Sequence, residues 1–73
     1  MTWTRVPRGY RGCRELQAGG AILRACASVD VVAVLLHPGG TWAIYHPGAD
    51  LDRVLTGAGL PLVSAGDLAW LGV

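Results

Sequence analysis

VDVVAVLLHPGGTWAIYH, residues 29–46, decides the fold. Residues 29–36 are β-branched and apolar, His37-Pro38-Gly39-Gly40 has turn chemistry, and Thr41-Trp42-Ala43-Ile44-Tyr45-His46 is rich in strand formers. The pattern predicts a β-hairpin with its loop at residues 38–40. If His37 pairs with Thr41, then Leu36 faces Trp42, Val34 faces Ile44 and Val32 faces His46, all on one side of the ribbon. Val31, Ala33, Leu35, Ala43 and Tyr45 occupy the other side. Both sides are apolar, where a sheet covered on one side only alternates apolar with polar. Something must cover each face, and a chain of 73 residues has little left to do it.

Downstream, residues 49–57 read as a short helix. Asp50 or its neighbour can cap it, Asp50 and Asp52 suit the positive end of the helix dipole, and Gly57 or Gly59 ends it. Leu51, Val54 and Leu55 form its apolar stripe. Pro61 pushes residues 60–63 into extended structure. Ser64 with Asp67 three residues on has the spacing of a capping box and opens a final helix over residues 65–71, with Gly72 as its stop.

Upstream, residues 15–28 are ambiguous. Leu16, Leu23 and Cys26 fit a helical stripe, whereas Leu23, Ala25, Ala27 and Val29 alternate as in a half-buried strand. Gly19-Gly20 breaks the segment, since the pair costs a helix about 2 kcal/mol relative to alanine; ordered structure is expected after the glycines, as a helix over 21–28, with a strand as the open alternative. The architecture expected is α+β: a small antiparallel sheet centred on the 29–46 hairpin, with one or two short C-terminal helices on one face. Residues 1–14 form a basic N-terminal arm or edge strand, and residues 15–73 a single small domain.

The charge is unevenly placed. Arg5, Arg8, Arg11 and Arg14 give residues 1–14 a charge of +4 with no acid, whereas beyond them two arginines oppose five acids, leaving −3. The arginines recur every third residue, and polyproline II has three residues per turn, so an extended arm around Pro7 would align all four on one side. Guanidinium forks bind phosphates and carboxylates in pairs, and Trp3 and Tyr10 can stack on bases. The net charge of +1 makes no overall case for nucleic acid. The absence of lysine and the wealth of Ala, Gly, Leu, Val and Arg fit a GC-rich coding sequence.

Catalytic and metal constellations are poorly supported. Cys13, Cys26, His37 and His46 are separated by twelve, ten and eight residues, far from the close pairs of structural zinc sites. In the register above, the two histidines lie roughly 17 Å apart at about 3.3 Å per residue. Combinations such as Cys26, His37 and Asp30, or Ser64, His46 and Asp67, lack a nucleophile turn. Gly39-Gly40 and Gly57-x-Gly59 do not open helices, and without lysine there is no P-loop. No enzyme activity, cofactor or metal is expected. The HPG sequences at residues 37–39 and 46–48 are two similar turns bracketing one strand.

The longest uncharged stretch, residues 31–49, is interrupted by Pro38, Gly39 and Gly40, which argues against a membrane span. The arginine-rich start lacks the apolar run of a signal peptide, so a cytoplasmic setting and two buried thiols are expected. With 52% apolar and 15% charged residues in so short a chain, apolar surface is left over. The expectation is a non-enzymatic protein-binding module that docks on a larger protein or self-associates, such as a phage or mobile-element accessory factor or inhibitor. Its contact residues would be Arg5, Arg8, Arg11, Arg14, Trp3, Tyr10, Trp42 and Tyr45, Trp42 and Tyr45 lying on the hairpin. Trp70 can serve the core. A nucleic-acid-binding module working through the arm, or a self-assembling structural subunit, are the alternatives.

Overall fold

A computed structural model describes residues 1–26 and 30–73. Its strands are β1 (Thr4–Val6), β2 (Arg14–Ala18), β3 (Ala21–Ala25), β4 (Val32–Leu35) and β5 (Ala43–Tyr45), followed by helices α1 (Ala49–Gly57) and α2 (Ala65–Leu71). The strands form one sheet in the order β1-β2-β3-β4-β5, each antiparallel to the next. The chain is therefore an α+β protein built from a meander and two short C-terminal helices. The β4–β5 hairpin makes one side of the sheet and β3 lies in the middle.

Turn chemistry sets the registers. Gly19 and Gly20 have φ of 55° and 85°, so both central residues of the β2–β3 turn are left-handed, as a two-residue type I′ loop demands. The glycine pair thus joins two strands, pairing Ala18 with Ala21 and Leu16 with Leu23. Residues 21–25 are strand, not helix, and alternate buried Ala21, Leu23 and Ala25 with half-buried Ile22 and Arg24. Ala27, Ser28 and Val29, which belong to the ambiguous segment and the start of the expected hairpin, lie outside the described residues.

The β4–β5 pairs are Val32–Tyr45, Ala33–Ile44 and Val34–Ala43, one residue out of step with the expected register. The cause is the loop. Gly40 donates its N–H to the carbonyl of His37 at 3.0 Å, and Gly39 has φ of 78°. Pro38 second and Gly39 third are the residues of a type II turn, so the loop holds two residues, not three. A slip of one residue turns every β5 side chain over. Tyr45 joins Val32 and Val34, whereas Ile44 lies across from Ala33 on the opposite face.

The core comprises Leu16, Leu23, Ala25, Val32 and Val34 from the sheet, Leu51 and Leu55 from α1, and Leu71 from α2, with Trp3, Tyr45 and Trp70 packed around them. Leu16, Leu23, Leu51, Leu55, Val32 and Val34 are fully buried, each contributing about 1.5–3 kcal/mol. Both helices lie on this inner face. In α1 the N-cap is Gly48 and no side chain caps it; Asp50 instead meets Arg53 at 3.2 Å. Left-handed Gly59 closes α1, with Leu60 N–H bonded to Leu55 O and Gly59 N–H to Thr56 O, the paired bonds of a Schellman motif. In α2, Ser64 Oγ accepts from Asp67 N–H at 3.1 Å, and left-handed Gly72 ends the helix.

Cys13 and Cys26 form a disulfide with Cα atoms 4.4 Å apart, in place of the two thiols expected from the sequence. The bridge lies one step beyond the Arg14–Ala25 pair and staples the ends of β2 and β3. No helix among the described residues is long and apolar enough to cross a membrane.

Candidate functional site on the outer face of the sheet

The face of the sheet turned away from the helices is built from Val6, Glu15, Gln17, Ile22, Arg24, Ala33, Leu35 and Ile44. The glycine turn places Glu15 directly opposite Arg24. Arg24 Nε donates to Glu15 Oε2 at 2.6 Å, and Gln17 Nε2 donates to Oε1 at 3.2 Å. Glu15 is only 4% exposed because the turn between β1 and β2 closes over it. In that turn Gly9 donates to Cys13 O at 2.8 Å and Cys13 donates to Tyr10 O at 3.0 Å. Arg11 takes a left-handed φ of 53° within it.

Burial pushes the Glu15 carboxyl up, but the bonds from Arg24, Gln17 and the Tyr10 backbone outweigh it and hold the group below its ordinary range. It is a carboxylate at neutral pH. The Arg24 guanidinium lies between two aromatic rings, 4.6 Å from the Tyr10 centroid and 4.4 Å from that of Trp42. Such stacking is worth about 0.5–2 kcal/mol per contact. The centre of this face is thus a neutralised cation held between two rings, with half-buried Ile22, Ala33 and Leu35 alongside and Ile44 standing 68% exposed.

The four arginines of residues 1–14 are not aligned, because the segment folds as an edge strand and a turn instead of a polyproline arm. Arg5 pairs with Asp67 at 2.8 Å and stacks on Trp70; Arg14 donates to the Trp70 carbonyl and stacks on the same ring. Those two serve the inner face. Trp3 does likewise, donating its Nε1 to Pro61 O at 2.9 Å. Arg11 lies over Tyr10, and neither Arg8 nor Arg11 has a carboxylate within ion-pairing distance among the described residues. Of the eight candidate contact residues, the structure brings Tyr10 and Trp42 to the outer face with Arg11 over Tyr10, puts Trp3, Arg5, Arg14 and Tyr45 on the inner side, and leaves Arg8 exposed in the turn after β1.

Glu15 and Arg24 are the residues that reasoning from sequence passed over. Their signal was the Gly19-Gly20 pair: reading it as a two-residue loop places positions 15 and 24 opposite each other. His37 and His46 are exposed, and no group of three metal-ligating side chains gathers among the described residues. A surface depression of about 430 Å³ beside the glycine turn is lined in part by Met1, Thr2, Thr4, Gln17 and Ile22, with no histidine, carboxylate or thiol in its lining. No protein-family model, curated protein or solved structure matches this chain.

Proposed function

We propose that this chain is a small non-enzymatic binding module that docks on a larger protein through the outer face of its sheet. One observation carries the reading: both helices cover the inner face, leaving Tyr10, Trp42 and Ile44 exposed around a half-buried, ion-paired arginine. Aromatic and arginine side chains clustered on one surface are the composition of interface hot spots. Arg11, lying over Tyr10, borders this surface and favours a partner with carboxylates at the rim. A module of this kind acts by occupying its target, as an accessory factor or inhibitor does. The disulfide supports an oxidising compartment over the cytoplasm expected from two thiols.

The test is capture by the immobilised chain, compared with a Tyr10→Ala/Trp42→Ala variant and with Arg53→Ala on the opposite side. The outer-face variant should lose a protein that the parent and Arg53→Ala both retain. Equal capture by all three overturns the reading. A nucleic-acid module would instead show binding that weakens steeply with salt and fails in Arg8→Glu/Arg11→Glu.

A further inference from the structure

Arg24 is fixed at its Nε and by both rings, and open at its far end. Nε donates to Glu15, which Gln17 holds in turn, and the guanidinium rests against Tyr10 and Trp42. A guanidinium carries N–H bonds on all three nitrogens, yet neither Nη of Arg24 has an acceptor among the described residues. No buried side-chain nitrogen or oxygen among those residues lacks a partner, so both Nη atoms reach solvent. The side chain as a whole is 22% exposed. Arg5 and Arg14, by contrast, spend their donors on Asp67 and the Trp70 carbonyl at the inner face.

We infer that the Nη edge of Arg24, between Tyr10 and Trp42, binds the carboxylate of an acidic side chain on the docking partner. This rests on the docking reading and names the chemistry that the surface selects. Two parallel N–H···O bonds join a guanidinium fork to a carboxylate, and here the fork is already oriented, so little side-chain freedom is lost on binding. The charge fits one carboxylate. Glu15 cancels one of the two positive charges of Arg24 and Arg11, which both lie against the Tyr10 ring, and a single positive charge remains. A nucleic-acid backbone, with a charge at every phosphate, is held by several cations and would be repelled by Glu15 beneath them. The flat rings of Tyr10 and Trp42 offer apolar walls to the methylene groups of a glutamate.

NMR titration of the nitrogen-labelled full chain tests it, with the peptide acetyl-Ala-Glu-Ala-Glu-Ala-amide, its glutamine counterpart and an oligothymidylate as probes. The glutamate peptide should shift the Arg24 guanidinium and Trp42 indole signals and bind roughly tenfold more tightly than the glutamine peptide. Arg24→Lys keeps a charge beside Glu15 but not the fork, and should lose that margin. Arg11→Gln should weaken the glutamate peptide roughly threefold. Equal binding of the two peptides by the parent, or shifts confined to other arginines, overturns the inference without recourse to any variant. So does an undiminished margin in Arg24→Lys, or tighter binding of oligothymidylate at the same signals. Loss of the captured protein in Tyr10→Ala/Trp42→Ala, with the parent treating both peptides alike, would leave the docking reading standing and overturn this inference alone. Capture unchanged by that variant would overturn the docking reading, whatever the peptides show.

Discussion

A methyl group at Gly9 would lie 2.5 Å from Cδ and 2.6 Å from Cγ of Glu15. Real atoms do not approach so closely, and the Glu15 carboxylate is fixed by Arg24 and Gln17, so the turn must move. Gly9→Ala is expected to lower the unfolding free energy by about 1–3 kcal/mol in urea titration. Glu15 also sets a pH dependence. Its folded-state pKa lies below the ordinary 4.5, so its contribution to stability is complete above that value and disappears as pH falls through the lower folded value. Thermal melts from pH 7 downward should show a fall in Tm beginning near pH 5, with a smaller fall in Glu15→Gln. That variant starts lower at neutral pH by about 1–3 kcal/mol, because it removes the charge facing a half-buried Arg24 that keeps some access to water. Neither residue is legible alone in the sequence. Gly9 looks like any glycine in a basic loop, and Glu15 gains its meaning only from the strand opposite.

At the scale of elements, legibility follows local chemistry. Helix α2 spans the residues predicted for it, since Ser64, Asp67 and Gly72 define its two ends without help from the rest of the chain. Ser64→Ala removes the bond to Asp67 N–H and should cost about 1 kcal/mol by chemical denaturation. Helix α1 has the expected bounds, but its capping differs: Asp50 lies inside the first turn and reaches Arg53. The sheet elements were legible in kind and less so in phase. The β4–β5 hairpin was evident from composition, yet its faces depended on whether HPGG makes a two- or three-residue loop, a choice that one hydrogen bond from Gly40 to His37 decides. Likewise Gly19-Gly20 disfavours a helix and also favours a tight hairpin, and weighing only the first property left 21–25 undecided. The outer face was anticipated as uncovered surface, but the exchange of Tyr45 for Ile44 on it required the register.

For the molecule as a whole, the Cys13–Cys26 bridge closes a loop over the β2–β3 hairpin, with the cysteines thirteen positions apart. A loop of that size is worth about 3 kcal/mol through the unfolded chain. Cys13→Ser/Cys26→Ser is expected to lower the urea midpoint by a corresponding amount, and mass spectrometry after thiol blocking of freshly prepared, unreduced protein should find both sulfurs protected. Recovery of both as alkylated thiols would argue for a reducing compartment. The strands connect only to their neighbours in sequence, whereas the bonds that close the molecule join distant residues: Trp3 to Pro61, Arg5 to Asp67, Arg14 to Trp70. The three hairpin contacts nearest the middle of the chain can therefore form early and cheaply, and helix docking comes last, because long loop closures carry the larger entropic cost. On the ribosome, the inner face of the meander is bare until α1 emerges and only part-covered until Trp70 follows, and for that interval Leu16, Leu23, Val32 and Val34 are the surface a chaperone would meet.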